Sequence, residues 1–180
     1  MTEMFSTPFR VAAFEKVSYE QYRQDMRELF PDWPEERLYA AYDAIELPCR
    51  ATAGSSGYDI RAPFAFALGA GEDICVPTGL RVRIQHGWWL MLIPRSGLGF
   101  RLYTRLANTV GNIDSDYYQA RNEGHIMIKL RVEADQKNLP EPRRFEQGAA
   151  FCQGVFVPYG ITLNDDAAAE RTGGFGSTGQ

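Results

Sequence analysis

The chain has little that would take it out of ordinary aqueous surroundings. No apolar run approaches the roughly 20 residues that a bilayer-spanning helix needs. The opening stretch, MTEMFSTPFR, lacks a basic segment followed by an apolar one, so no secretory leader is expected and a cytoplasmic address follows. Cysteine is scarce: Cys49, Cys75 and Cys152 are odd in number and scattered, without a CxxC pair or a zinc spacing. Buried free thiols in a reducing compartment are the expectation. The two histidines, His86 and His125, have no Ser or Cys nucleophile pattern around them, which points to structural or solvated roles. There is no basic excess either. A net charge of −4 argues against a protein that coats nucleic acid, though a single nucleotide needs only one local cluster of cations and amides.

What is present reads as two textures within one expected domain of 180 residues, 44% hydrophobic and 23% charged, long enough for a sizeable core. RVAAFEKV (10–17) suits a short strand. Ser18 to Leu29 reads as a helix, with Ser18 as N-cap and Gln21 at the capping-box position, and Pro31 ends it. Asp32 is expected to cap a second helix running through Pro34, Glu35, Glu36, Leu38, Ala41 and Ile45 until Pro48. From Ala51 onward, short runs such as DICVPTGLRVRI, GWWLMLIP and HIMIKLRV alternate with Gly, Pro, Asn and Asp. That spacing predicts a mainly β sandwich or barrel and not a βαβ fold. Trp88 and Trp89 are adjacent on a strand, so one is expected in the core and the other at an interface. The tail from about 168 to 180 is Gly-rich and polar and should be mobile alone.

Five segments carry candidate chemistry. In AGSSGYDIRA (53–62), Asp59 sits among apolar neighbours after a glycine turn, and a solvated Asp is an even alternative. PRSGLGF (94–100) puts Arg95, Ser96 and Gly97 at a strand end, where a cation and backbone N–H groups suit a phosphate. It is no Walker loop, lacking GxxxxGK[ST] and a following helical pattern; a plain surface turn is the competing reading. NTVGNIDSDYY (108–118) holds Asp114 and Asp116 two apart, on one face if extended, although turn-forming surface Asp is the commoner use. In FEQGAAFCQGVFVP (145–158), Gln153 is a polar side chain in an apolar run, or an outward-facing strand position. ERTGGFGSTGQ (170–180) combines Arg171, Phe175, Ser177 and Thr178 with glycines, and such termini are usually functionless.

Taken in order and spacing, these segments resemble the five motifs of the homotrimeric dUTPase family: GYDIRA, PRSGLGF, NTVGNIDSDYY, QGAAFCQGVF and RTGGFGSTG, with LPCRATAG and VPTGLRV flanking the first. The resemblance covers about three-quarters of the chain, from Glu46 onward. It implies a distorted jelly-roll β-barrel, here with a two-helix insertion at about 18–45, forming trimers that share active sites. It further implies hydrolysis of dUTP to dUMP and pyrophosphate, which limits uracil incorporation into DNA. Asp114 matches the carboxylate that orients the attacking water at the α-phosphorus. An aspartate is a weak base, so positioning must supply much of the catalysis. Tyr117 matches the ring against C2′ that leaves no room for a ribose hydroxyl. Asn108, with Gly111 and the backbone of Met127, matches the readers of uracil. Arg95, Ser96, Gly97 and Gln153 match phosphate contacts; Arg171 would reach the phosphates, Phe175 would stack on uracil, and Gly176, Ser177 and Thr178 would wrap the terminal phosphates as a lid. Mg2+ would bridge the phosphates and keep its waters, with no direct protein ligand and Asp59 touching it through one of them.

Three departures stand out. The helices around 18–45 have no counterpart in a plain family member, and what they bind is unread; an added trimer surface or partner site is one expectation. Ala149 and Ala150 replace an acidic–basic pair after Gly148, which removes a structural salt bridge. YQARN (118–122) lengthens the hairpin that holds the base. The rival enzyme, a dCTP deaminase of shared fold, is suggested by EGHI, but PRSGLGF lacks that family's second Arg and Lys129 stands where its catalytic Glu would align. A dUTPase-like regulatory binder using the helices as its interface is the rival of another class. No nucleic acid or membrane partner is expected.

Overall fold

A computed structural model describes residues 9–134, 142–169, 171 and 173. The strands are β1 (Ala12–Lys16), β2 (Cys49–Arg50), β3 (Tyr58–Arg61), β4 (Phe66–Leu68), β5 (Asp73–Pro77), β6 (Leu80–Ile84), β7 (Trp88–Pro94), β8 (Thr104–Leu106), β9 (Gly111–Ile113), β10 (Met127–Val132), β11 (Arg143–Phe145) and β12 (Ala150–Pro158). Helices α1 (Tyr19–Leu29) and α2 (Glu35–Asp43) follow β1, α3 (Ser96–Leu102) follows β7, and a 3-10 turn, η1, covers Ser115–Gln119. All pairings are antiparallel. The largest sheet runs β2-β3-β12-β7-β9; β5-β10-β8, β1-β6 and β11-β4 complete the described sheets.

Alternation decides which faces are buried. Along β10, Ile128, Leu130 and Val132 are buried while Lys129 and Arg131 are exposed, the period-two pattern of a sheet with one wet face. Ile60, Leu90, Leu92, Phe151 and Cys152 face the same core from the large sheet. This mainly β packing is the jelly-roll type that the sequence leads one to expect. Trp88 and Trp89 are both half-buried, and Trp88 packs against the core. Among the described residues no helix is long and apolar enough to cross a membrane.

The helix pair is docked and not an appendage. Tyr22, Met26 and Leu38 are fully buried, and Lys16 Nζ donates to the carbonyls of Tyr42 and Asp43 at 3.0 Å each. A cation there meets the negative end of α2. The docking surface includes Gly79 (φ +72), where a Cβ would run into Ile45 and lie 3.3 Å from Tyr22.

Local details differ from the sequence expectation. Ser18 does cap α1, accepting from Gln21 N–H at 3.1 Å, but the box is not closed by Gln21. Its side chain turns to Asp25 (2.9 Å), and the Ser18 N–H donates instead to Glu123 Oε2 at 2.7 Å. Asp32 is not the cap of α2. A turn from Phe30 to Trp33 places it too early, and extended Pro34 holds the N-cap position. The cysteines are free, yet only Cys152 is buried; Cys49 and Cys75 are exposed, because they occupy outward positions of β2 and β5.

Candidate functional site

Three groups of side chains line up along neighbouring strands. The first surrounds an open pocket of about 400 Å3, bounded by Cys75, Leu92, Asn108, Gly111, Met127 and Lys129 among others. Its wall arises where the chain leaves β8, turns through Asn108–Val110 and enters β9. Val110 N–H donates to the Asn108 carbonyl at 2.7 Å, and Thr109 takes φ +66. Gly111 lies opposite Leu92 in the β7–β9 register. Apolar walls with one amide and strand backbone at the rim suit a flat heterocycle of few polar groups.

The second group lies on the same large sheet, one residue along β7 from Leu92. Register places Gln153 of β12 between Asp59 of β3 and Ile93 of β7. Arg95, two residues beyond Ile93, pairs through Nε with Asp59 Oδ1 at 3.2 Å. Gly57 lets the Gln153 side chain lie close, since a Cβ there would be 2.5 Å from its Oε1. Contrary to the sequence expectation, a helix does follow the strand. Arg95 is the N-cap of α3, and exposed Ser96 and Gly97 form its first turn. Two glycines in SGLGF hide the helical period, but buried Leu98 anchors the turn. The first N–H groups of a helix have no acceptor within it and remain available to one outside.

Asp114 organises the third group. It is the N-cap of η1, so the segment is a turn, yet both its carboxylates reach one cation. Arg171 Nη1 donates to Asp114 Oδ2 at 2.7 Å and to Asp116 Oδ1 at 3.0 Å. Asn112 donates to the other oxygen of Asp114 at 3.1 Å. Burial works against the Arg171 charge, but the hydrogen bonds from the two carboxylates outweigh it and raise its pKa. The guanidinium also lies 5.1 Å from the centre of the Tyr117 ring. Tyr117 is buried, donating its hydroxyl to the His125 carbonyl and accepting from Asn122, each at 2.8 Å.

Asn108, Gly111 and Met127 thus share one pocket, and Arg95, Asp59 and Gln153 share another locus with Ser96 and Gly97 beside them. Among the described residues bounding the pocket, none belongs to that second locus, and neither Asp114 nor Tyr117 is there. Phe175, Gly176, Ser177 and Thr178 lie outside the described residues. Sequence reasoning missed Asn112, although strand alternation puts it on the same face as Asp114. It also missed Cys75 and Lys129 in the pocket wall, for which no local signal exists. No group of three metal-binding side chains occurs among the described residues.

The sequence model of the dUTPase family matches residues 43–179. A deoxyuridine 5'-triphosphate nucleotidohydrolase of Lactococcus lactis is 39% identical over 138 residues, covering 75% of this chain and 89% of its own. The crystal structure of a dUTPase from Streptococcus mutans superposes with a TM-score of 0.61 at 31% identity, covering 83% of this chain and 98% of that one. A dUTPase mutant from phage phi11 of S. aureus, whose structure reveals the coordination of a structural Mg(II) ion, shares the fold at 20% identity, with a TM-score of 0.57 and coverage of 72% and 94%.

Proposed function

Because the chain belongs to the dUTPase family and hydrolyses dUTP to dUMP and pyrophosphate, we propose that Asp114 directs the attacking water, with the base in the pocket of Asn108. The observation that carries this reading is the course of one extended stretch. Gly111 bounds the pocket, and Asp114, three residues on, still has extended backbone (φ −75, ψ 158). Three extended residues span about 10 Å, on the scale of a deoxynucleoside from its base to its first phosphate.

The chemistry follows from that placement. Uracil presents an acceptor, a donor and an acceptor, which the Asn108 amide and the Met127 backbone match; cytosine would leave buried groups unpaired. Tyr117 walls the deoxyribose. Asp114 takes a proton from water as its oxygen bonds to the α-phosphorus, and the bond to the pyrophosphate oxygen breaks. Arg95, Gln153, Arg171 and the N–H groups of Ser96 and Gly97 hold the charge that moves onto pyrophosphate. Phe175, Gly176, Ser177 and Thr178 close over the nucleotide and exclude water.

The donor set fits Mg2+ bound chiefly by phosphates. Asp59 is partly buried beside Arg95 and would help to hold such an ion through a water. When bound, the ion neutralises phosphate charge.

A trimer completes the site in this reading. Arg95, Asp59 and Gln153 do not bound the pocket, and Phe100, Ile161 and Leu163 are strongly exposed apolar side chains suited to cover by a neighbour. Free thiols suit a reducing cytoplasm. Mixing two inactive variants, Asp114→Asn and Arg95→Ala, after partial unfolding tests this: shared sites restore a fraction of dUTP hydrolysis, and no recovery would place every site within one chain.

A further inference from the structure

The helix pair meets the chain at Glu123 and His125, just past the lengthened hairpin at 118–122. At one point, exposed Ser18, the cap of α1, gives its N–H to Glu123 Oε2 (2.7 Å) and its hydroxyl to Oε1 (2.6 Å). At the other, Asp25 Oδ2 of α1 lies 2.5 Å from Nδ1 of His125, whose side chain is fully buried. The Gly79 N–H points at His125 Nε2 at 2.7 Å, so Nε2 accepts and Nδ1 carries the proton given to Asp25. The imidazole is therefore fixed at both nitrogens.

What this fixes is the wall proposed for the sugar. The His125 carbonyl accepts the Tyr117 hydroxyl at 2.8 Å, and the His125 N–H donates to the Asn122 carbonyl at 3.0 Å. Asn122 in turn donates its side-chain amide to the same Tyr117 oxygen at 2.8 Å. Glu123, between them, takes φ +56, a conformation rare for a side chain of its size that persists where its surroundings over-determine it. Arg81, 3.6 Å from Glu123, also stacks on the Tyr118 ring at 3.7 Å, and Tyr118 bonds Glu15. The hairpin is thus held from α1, β1 and β6 together.

We propose that Asp25 and His125 are positioning residues for Tyr117, so that the helix pair sets how strictly the enzyme rejects a 2′-hydroxyl. This rests on Tyr117 being the wall against the deoxyribose. Asp25 touches no part of the pocket; it acts through the imidazole, the His125 carbonyl and the tyrosine hydroxyl. A ring held by its hydroxyl cannot tilt away from C2′, whereas a freed ring gives the few tenths of an ångström that a ribose needs.

The test is the ratio of kcat/KM for dUTP to that for UTP in the Mg2+-loaded enzyme, with folding and assembly followed by thermal melting and gel filtration. Asp25→Leu is expected to lower the ratio about tenfold, a discrimination of the size one small group commands, mainly through a higher KM for dUTP and a lower one for UTP. Asp25→Asn keeps an acceptor for Nδ1–H and should retain the wild-type ratio. Tyr117→Phe keeps the ring but cuts the link, and should match Asp25→Leu without adding to it in the double variant. If Asp25→Leu does not fold, Glu123→Gly releases the other anchor while suiting the local backbone, and a lowered ratio is expected there. A folded Asp25→Leu or Glu123→Gly enzyme with the wild-type ratio overturns the proposal. Tyr117→Ala separates the two levels. An unchanged ratio there would refute the sugar wall itself, while a changed ratio beside unchanged Asp25→Leu and Tyr117→Phe would refute only the clamp.

Discussion

Arg171 holds Asp114 by a 2.7 Å hydrogen bond from Nη1 to Oδ2. With Asn112 on Oδ1, both oxygens of the proposed water-directing carboxylate are engaged by side chains of this chain. In the proposed reading, incoming phosphates compete for Arg171, which would link nucleotide binding to the release of one carboxylate oxygen.

Asp114→Asn should therefore remove the proposed proton acceptor without changing the assembly of the protein. Its expected cost is about 10²–10⁴-fold in kcat, read as pyrophosphate release from dUTP. Retained rates would move the water-directing role elsewhere. Ammonia release from dCTP, measured beside it, should be absent.

Arg171→Lys keeps the charge but loses the planar guanidinium whose Nη1 reaches Asp114 and Asp116 together. Weaker dUTP binding than wild type is expected, with tighter binding than in Arg171→Ala. Equal KM values across the three proteins would separate Arg171 from the phosphates.

The Tyr22 hydroxyl is buried with no hydrogen-bond partner among the described residues. Burial pushes its pKa up. Tyr22→Phe removes an unsatisfied group and keeps the ring between Tyr42 and His125. A gain of about 1 kcal/mol in unfolding free energy is expected, and a loss would show that the hydroxyl has a partner in solution.

Gly79→Ala tests the seat of the helix pair. The added methyl meets Ile45 at a backbone φ of +72, and about 1–3 kcal/mol of destabilisation is expected from overpacking. A denaturation midpoint equal to wild type would mean that the helices shift freely.

Acid should loosen the same region. Burial opposes ionisation of Asp25, yet hydrogen bonds from His125 and Gln21 hold its pKa below the ordinary 3.8. Burial likewise raises Glu123, but the Ser18 contacts and Arg81 bring it below 4.5. Depressed carboxylates contribute stability that is complete above their ordinary values and lost as pH falls through the lowered ones. Wild type and Asp25→Asn should therefore differ in unfolding midpoint at pH 6 and converge below pH 3.8. A constant gap across that range would count against the pairing.

Much of the architecture was legible because it rests on short-range pattern. Ser18 before a periodic run marks α1, and alternation in IMIKLRV marks β10. The short helix α3 was not legible, since Gly97 and Gly99 erase its propensity and only the burial of Leu98 supplies the reason to coil. Asp32 failed as a cap because Pro34 is itself extended and accepts the role without a side-chain bond. The contacts of Ser18 with Glu123 and of Asp25 with His125 span about 100 residues of chain, and no local propensity encodes such a distance. For the candidate site, motif order indicated which residues matter, whereas the alignment of Asp59, Gln153 and Ile93 in one row of the sheet emerges only from register.

Strand β12 lies between β3 and β7 in the large sheet. Both partners precede it by more than 50 residues, so during synthesis they wait side by side with their facing edges unpaired until the last strand has left the ribosome. Such long-range closure is slow, and the waiting edges invite pairing with other chains. The large sheet is therefore completed only once β12 has been made, and its yield in the cell should depend on chaperones shielding those two edges more than on the stability of the finished sheet.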